Sequence, residues 1–172
     1  MSVRDIISSV IFYVGMVLIA FLLVQFGTRY SVQKVHQDFR EMEPRVERGS
    51  HLVVDKGIRD PDELAYGDII TYRLPPWRRK AYSYEFARVL GKPGDVVEMK
   101  NHRLYRAERR EGQLAPKEKI SEPYVDPRDL PADFSAFVVP RNTVFVMYDK
   151  RRRRGSLRDL LIPVRTIHGR MR

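Results

Sequence analysis

Few residue types in this 172-residue chain could carry out chemistry. There is no cysteine, which excludes a disulfide framework and thiolate catalysis. The four histidines lack the spacing of a metal site, so we predict surface residues and no bound metal; they lie at positions 36, 51, 102 and 168. A further candidate is the carboxylate of Glu41, directly before the Met-Glu-Pro sequence of residues 42–44 in "REMEPRVERGSHLVVDKG" (residues 40–57).

The elements that would position Glu41 begin with an uncharged run, "IISSVIFYVGMVLIAFLLVQFGT", at residues 6–28. A helix of roughly 20 residues crosses a hydrocarbon core of about 30 Å, so this run predicts a transmembrane helix. The following "TRYSVQKV" has no small-x-small cleavage site, which favours a retained anchor over a cleaved signal peptide. The chain is therefore divided into a flank (1–5), a transmembrane helix (6–28), a juxtamembrane linker (29–40) and a globular domain (41–172).

Charge alone leaves the orientation of the helix open. One arginine and one aspartate precede it, whereas two arginines and one lysine lie against one aspartate in the linker at 29–40. The positive-inside rule would then place the domain in the cytoplasm, but long domains translocate largely regardless of charge.

Beyond residue 40 the sequence predicts a mainly antiparallel β domain. Short runs rich in β-branched and aromatic residues alternate with turn residues, as in "KPGD" at 92–95 and "KNHR" at 100–103. Many short strands at this spacing indicate a partly closed β structure. The predicted strands are 51–55, 68–74, 84–91, 95–99, 103–107, 137–139 and 143–149. The polar, proline-containing segment 108–136 is predicted to be an irregular insertion.

The net charge of +10, from 32 basic and 22 acidic residues, should attract anionic lipid headgroups, acidic peptides or nucleic acid. In "PPWRRK", Trp77 lies beside Arg78, Arg79 and Lys80, a composition suited either to docking on a membrane surface or to a solvated loop. "KRRRR" at 150–154 is a second basic run. Nucleic acid is the least favoured partner, since no aromatic platform is interleaved with the arginines.

Four ordered blocks resemble those of bacterial type I signal peptidases, the membrane-anchored Ser/Lys proteases of the S26 family. "EMEPRVERGSHLVVDK" is similar to the nucleophile loop of that family, and "YGDIITYRLPP" to its Gly-Asp strand. "FARVLGKPGDVVEMKNHRLY" resembles its Lys-Arg hairpin, and "VFVMYDKRRRRGSLRDLLIPVRTIHGR" its closing segment. The resemblance implies a signal-peptidase-like β domain, no cofactor, and a single-pass protein of the bacterial cytoplasmic membrane whose C-terminal domain lies outside the cytoplasm.

The same resemblance places the catalytic dyad of active members at Glu41 and Ala87. In those enzymes a serine at the first position attacks the peptide carbonyl after a lysine at the second takes its proton, which requires a lysine pKa lowered by burial. Neither residue type is present here, and the Gly-Asp-Asn triplet of the closing segment is replaced by residues 148–150, Tyr-Asp-Lys. The matching residues that remain are those of turns and strand ends: Pro44, Gly67, Asp68, Pro93, Gly94 and Asp95.

Three functional hypotheses follow. The first is an inactive pseudopeptidase that binds extended or signal-peptide-like segments, or partners other secretion components, with Met42, Pro44 and Arg88 as candidate groove residues. The second is a divergent active signal peptidase, whose nucleophile would have to be another serine without a matched lysine: Ser31, Ser50, Ser83 or Ser156. The third is a basic membrane-surface adaptor acting through residues 77–80.

Glu41 itself has two interpretations. Its carboxylate is either solvated or paired with Arg40 or Arg45, in which case it contributes only about 0–1 kcal/mol. Alternatively, it repels acidic ligands or recruits a basic partner.

Overall fold

The computed structural model describes residues 3–58, 60–74, 84–151 and 156–172. The first element, helix α1, comprises Val3–Arg29 and covers the uncharged run of the sequence. Within the described residues, Ile7–Arg29 is the one helical segment long and apolar enough to cross a membrane. Its apolar side chains are exposed, Phe12 by 67% and Val17 by 66%, as expected of a helix that needs an apolar surrounding.

The remainder of the described chain is mainly β-structure with three short 3-10 helices. The strands are β1 (Tyr30–Lys34), β2 (His51–Asp55), β3 (Ile69–Arg73), β4 (Tyr84–Gly91), β5 (Val96–Lys100), β6 (Arg103–Ala107), β7 (Arg109–Arg110), β8 (Gln113–Leu114), β9 (Glu118–Lys119), β10 (Phe134–Val138), β11 (Thr143–Met147), β12 (Leu161–Pro163) and β13 (Ile167–Met171). The 3-10 helices are Pro61–Glu63, Leu157–Leu160 and Val164–Thr166.

The strands pair in an antiparallel sense in three sheets. The largest has seven strands in the order β1-β2-β13-β3-β4-β11-β12. A four-stranded sheet has the order β10-β5-β6-β9, and β7 and β8 form a two-stranded sheet. β13 lies between β2 and β3, and β11 lies beside β4, so the large sheet combines pairings of consecutive strands with pairings of strands far apart in sequence.

All seven predicted strands are confirmed, with ends that differ by up to three residues. Three parts of the sheets were not predicted. The juxtamembrane linker contains β1, the segment 108–136 contains β7, β8 and β9, and the C-terminal residues form β12 and β13. These strands are short or lack a regular alternation of apolar residues, so local pattern alone does not identify them.

The apolar core has two parts. One lies against the seven-stranded sheet and includes the loop between β1 and β2; its largest fully buried members are Phe39, Met42, Leu64, Ile70, Tyr72 and Leu74. The other joins β4 and β11 to the four-stranded sheet through Leu90, Val97, Met99, Leu104 and Phe145. The loop of Glu41 is thus part of the main core rather than a surface appendage.

Candidate functional site

Glu41 lies in a series of tight turns between β1 and β2. Two backbone hydrogen bonds close the base of this loop, from the N–H of Val35 to the C=O of Ser50 (2.9 Å) and from the N–H of Gly49 to the C=O of Val35 (3.0 Å). Gly49 has a φ of 75°, in the left-handed region that favours glycine. The loop is filled by buried apolar side chains, namely those of Val35, Phe39, Met42 and Val46.

The segment that follows β11 holds the backbone of this loop. The N–H of Lys150 donates to the C=O of Glu41 at 2.8 Å. The N–H of Asp149 donates to the sulfur of Met42 at 3.3 Å. The ammonium of Lys150 also donates to the carboxylate of Glu43 at 2.8 Å, and this hydrogen bond lowers the pKa of Glu43. The loop and this segment therefore form one structural unit.

The carboxylate of Glu41 is turned towards its own loop. Its Oε2 accepts a hydrogen bond of 2.9 Å from the backbone N–H of Arg40, and the residue is partly exposed. An ionised carboxylate is a hydrogen-bond acceptor and has no proton to give. At the position that the sequence resemblance assigns to the nucleophile, this side chain therefore offers an acceptor in place of a hydroxyl group.

Ala87 lies in the middle of β4 and is fully buried. It is directly opposite Ile70 of β3, and its methyl group belongs to the same apolar cluster as Phe39 and Met42. A methyl group cannot accept a proton, so position 87 supplies no general base.

Arg88, the next residue, connects β4 to the segment that follows β11 and to the turn before β3. Its guanidinium makes two hydrogen bonds to the carboxylate of Asp149, at 2.8 and 2.5 Å, and one to the C=O of Gly67 at 2.9 Å. It also lies 4.0 Å from the centre of the Tyr124 ring. Burial opposes the charge of Arg88, but the hydrogen bonds and charge of Asp149 outweigh burial and raise its pKa.

A buried polar cluster next to Ala87 was not predicted from the sequence. The carboxylate of Glu85 accepts hydrogen bonds from the hydroxyl groups of Tyr72 (3.0 Å) and Tyr148 (2.5 Å). The two hydroxyl oxygens are 3.1 Å apart. Burial raises the pKa of Tyr72 well above its ordinary value, so this hydroxyl remains a donor at physiological pH. A carboxylate two residues before Ala87, on the same face of a strand, was the available signal.

The structure places the three predicted groove residues in different surroundings. Met42 is fully buried, Pro44 is exposed, and the side chain of Arg88 is 11% exposed and paired with Asp149. Their role as a peptide groove stays a prediction. The predicted membrane-surface residues lie outside the described residues: Trp77, Arg78, Arg79 and Lys80.

The alternative serines have the following surroundings. The hydroxyl of Ser50 donates to the C=O of Glu47, and Ser156 caps the 3-10 helix at Leu157–Leu160. Ser31 Oγ lies 3.5 Å from Nε2 of His168. Ser83 is outside the described residues.

Within the part of the chain that the structure describes, no three His, Asp or Glu side chains are grouped so as to hold a metal ion.

Comparisons with known proteins place this geometry in context. The family model described as signal peptidase, peptidase S26, matches residues 9–171 of the chain. Signal peptidase I P of Bacillus subtilis subsp. natto is 28% identical over 144 residues, which cover 84% of this chain and 76% of that protein. Signal peptidase I of Bacillus licheniformis is 32% identical over 127 residues, 69% of this chain and 61% of that protein.

A solved structure is also similar. The crystal structure of a signal peptidase I from Enterococcus faecalis aligns with a TM-score of 0.47 and 22% identity, covering 63% of this chain and 97% of that chain.

Proposed function

The chain belongs to the peptidase S26 family of signal peptidases, and from this premise we propose that it is a membrane-anchored pseudopeptidase that binds extended, signal-peptide-like segments without cleaving them. The observation that carries the proposal is the pair of residues at the dyad positions, Glu41 and a fully buried Ala87. A carboxylate attacking an amide would have to form an anhydride, and no base is available at position 87. Loss of a comparable serine-protease unit costs roughly 10⁶ in rate.

A backbone edge beside Ala87 supports peptide binding. β3 pairs with β4 from Tyr84 to Arg88, whereas β11 pairs with it only from Arg88 to Gly91. Among the described residues, no strand pairs with Phe86 on the side opposite β3. The backbone groups of Val89 bond to Gly67 and Asp68 on the β3 side, so by alternation those of Phe86 point towards the other side.

The loop of Glu41 lies near this edge. The rings of Phe39, in the loop, and Phe86 are 5.7 Å apart. An extended peptide added at the free edge of β4 would therefore run close to the loop, in the β-augmentation mode that many peptide-binding domains use. The exposed Pro44 would flank such a peptide.

The anchor and the family together favour one placement of the protein. We propose that α1 spans the bacterial cytoplasmic membrane with the N-terminus in the cytoplasm and the β domain outside. Exported segments emerging from the membrane would then reach the β4 edge directly, and other secretion components are candidate partners. A reporter fused to Arg172 that is active only outside the cytoplasm tests this orientation, and activity of a cytoplasm-specific reporter would contradict it.

The full-length protein in phospholipid vesicles provides the main test, with a precursor that carries a signal peptide. We expect no mature product. With a photo-crosslinking residue in place of Pro44, we expect an adduct with the precursor. The same residue in place of Leu114, which is also exposed but lies in the two-stranded sheet, should give none.

Two outcomes of this experiment would overturn the proposal. Release of mature product by the unaltered protein would contradict inactivity. Equal crosslinking from positions 44 and 114 would contradict binding at the β4 edge.

One observation favours an active enzyme as the second candidate. His168 lies beside Ser31. Burial, together with the charge of Lys56, lowers the pKa of its imidazole. A lowered pKa favours the neutral imidazole, which is the form that can take a proton from a serine nucleophile. The separation of 3.5 Å exceeds the range of about 2.6–3.2 Å of a formed pair, which ranks this candidate second. If it is correct, Ser31→Ala abolishes processing, whereas Ser50→Ala and Ser156→Ala retain it.

A further inference from the structure

The polar cluster beside Ala87 consists of Tyr72, Glu85 and Tyr148, which we call the Tyr-Glu-Tyr cluster. Its residues are 2%, 1% and 7% exposed. One carboxylate oxygen of Glu85 accepts from both hydroxyl groups, which are themselves within hydrogen-bond distance of each other. Three oxygen atoms in mutual contact, enclosed by apolar core, fix the two aromatic rings in place.

The strand register determines where these rings lie. Tyr72 is directly opposite Glu85, and Ile70 is directly opposite Ala87, so all four side chains share one face of β3 and β4. On the other side of β4, Met147 is opposite Arg88. The next residue, Tyr148, therefore follows alongside Ala87.

Hydrogen bonding confirms that Tyr148 is on this face. Its ring must pass Ala87 for its hydroxyl to reach Glu85, two residues further along β4. Because the ring runs along β4 towards Glu85, it covers the space beside the methyl group of Ala87, and both residues belong to the same buried apolar cluster.

From this arrangement we infer that Tyr148, held by Glu85 and Tyr72, fills the space that a side chain longer than alanine would need at position 87, and so closes the site of the general base. The inference rests on the proposed function and deepens it. The loss of catalysis is built into the core by a third position, and replacing Glu41 and Ala87 alone does not reverse it.

Glu85 adds an electrostatic obstacle to the steric one. A lysine at position 87 would lie on the same face as this carboxylate, two residues away. A neighbouring negative charge stabilises the ammonium form and raises the pKa of a lysine, whereas a general base must be neutral. Tyr148, by its ring, and Glu85, by its carboxylate, thus both act against a lysine base at position 87.

A packing experiment tests the steric part without reference to activity. In the full-length protein in detergent micelles, Ala87→Met should lower the melting temperature by roughly 2–10 °C, because the added side chain overpacks a filled site. In a Tyr148→Ala background the same change should lower it by less than half as much. In a Tyr148→Phe background, which keeps the ring, the full loss should remain.

If Tyr148→Ala does not fold, Tyr148→Leu replaces it, since leucine is shorter than the ring and stays apolar. An equal effect of Ala87→Met in all backgrounds would show that Tyr148 does not occupy this space, and the inference would be wrong whether or not the protein is a pseudopeptidase.

A reconstruction experiment tests the consequence for catalysis. We expect Glu41→Ser with Ala87→Lys to give no detectable processing of the precursor. Addition of Tyr148→Ala should raise processing at least tenfold above that of the double variant. Equal rates for folded double and triple variants would overturn the inference. Cleavage by the unaltered protein would instead overturn the proposed function.

Discussion

Two carboxylates, Asp55 and Glu85, are buried in the same seven-stranded sheet and are satisfied in different ways. Asp55, at the end of β2, accepts hydrogen bonds from Arg29 (3.3 Å), Arg172 (2.8 Å) and the N–H of Gly57 (2.9 Å). Its arginine partners reach it from solvent, with side chains 58% and 49% exposed. Glu85 is satisfied by two phenol groups that are themselves buried.

The difference follows from the position of each group. Arg29 ends α1 and Arg172 directly follows β13, so Asp55 joins α1, β2 and β13 by charge. Burial raises the pKa of Asp55, but the N–H of Gly57 and the two arginines lower it to about 2, so it stays ionised at physiological pH. Glu85 lies at the candidate site, where neutral donors define the shape of the core. The carboxylate of Asp55 therefore connects several elements by charge, whereas that of Glu85 fixes the positions of two buried aromatic rings.

The largest effect is expected from Glu85→Leu. The change leaves two buried hydroxyl groups without their common acceptor, and each unsatisfied group costs about 1–3 kcal/mol; the Tyr72–Tyr148 contact recovers part of this. We expect the free energy of unfolding to fall by roughly 2–4 kcal/mol, measured by chemical denaturation of the full-length protein in micelles.

The control for this change removes the donors as well. Addition of Tyr72→Phe and Tyr148→Phe to Glu85→Leu should restore most of the loss, because replacing buried donors together with their acceptor by apolar groups costs little. A loss below about 0.5 kcal/mol for Glu85→Leu alone would contradict the importance of the cluster.

Asp55→Asn is expected to have the next largest effect. The folded-state pKa of about 2 lies below the ordinary 3.8. The ionised form therefore contributes stability above about pH 4, roughly 2 kcal/mol, which is lost as the pH falls from about 4 to 2. Asp55→Asn should remove this amount at pH 7, and the variant should show a smaller change between pH 5 and pH 2.

The matched control for Asp55→Asn is a change in an exposed ion pair. Oδ2 of Asp126 and Nη2 of Arg128 are 2.7 Å apart, and the two side chains are 34% and 82% exposed. Asp126→Asn should cost only about 0–1 kcal/mol at pH 7. Equal losses for Asp55→Asn and Asp126→Asn would show that burial gives Asp55 no special role.

The comparison also shows which features the sequence could predict. The strands between residues 51 and 107 were accessible because their turns are encoded locally. In "KPGD", Gly94 has a φ of 88° and Asp95 accepts from the N–H of Lys92 at 2.8 Å. In "KNHR", Asn101 and His102 both have a positive φ, as a tight hairpin requires.

The strands that complete the large sheet were not accessible in this way. β1 follows directly from α1. β13 contains a glycine, Gly169, that is required by tertiary packing rather than by a local turn. A Cβ at Gly169 would lie 2.4 Å from the carbonyl oxygen of Asp55 on the neighbouring β2. Such requirements depend on which strands become neighbours, and a local window does not contain that information.

The resemblance directs attention to positions 41 and 87, and their role stays a prediction. The cluster beside Ala87 joins residues 13 and 63 positions apart. Glu85 could have been noticed as the one carboxylate in a largely apolar strand. Its pairing with Tyr148 depends on the register of β4 and β11, which the sequence does not state.

The smallest effects should come from removing one donor at each carboxylate, and salt should distinguish them. Tyr148→Phe leaves Tyr72 bonded to Glu85, and Arg172→Met leaves Arg29 and Gly57 bonded to Asp55. Tyr148→Phe should cost about 1 kcal/mol, and Arg172→Met should also lower the free energy of unfolding at low ionic strength. Because Arg172 is half exposed, salt screens its charge, and the loss in Arg172→Met should shrink by half or more at about 1 M salt. The loss in Tyr148→Phe should not change, since a buried phenol carries no charge to screen.

Chemical denaturation at both ionic strengths measures the difference. If both losses respond to salt equally, the distinction between a carboxylate held by charged partners and one held by neutral phenol donors does not hold.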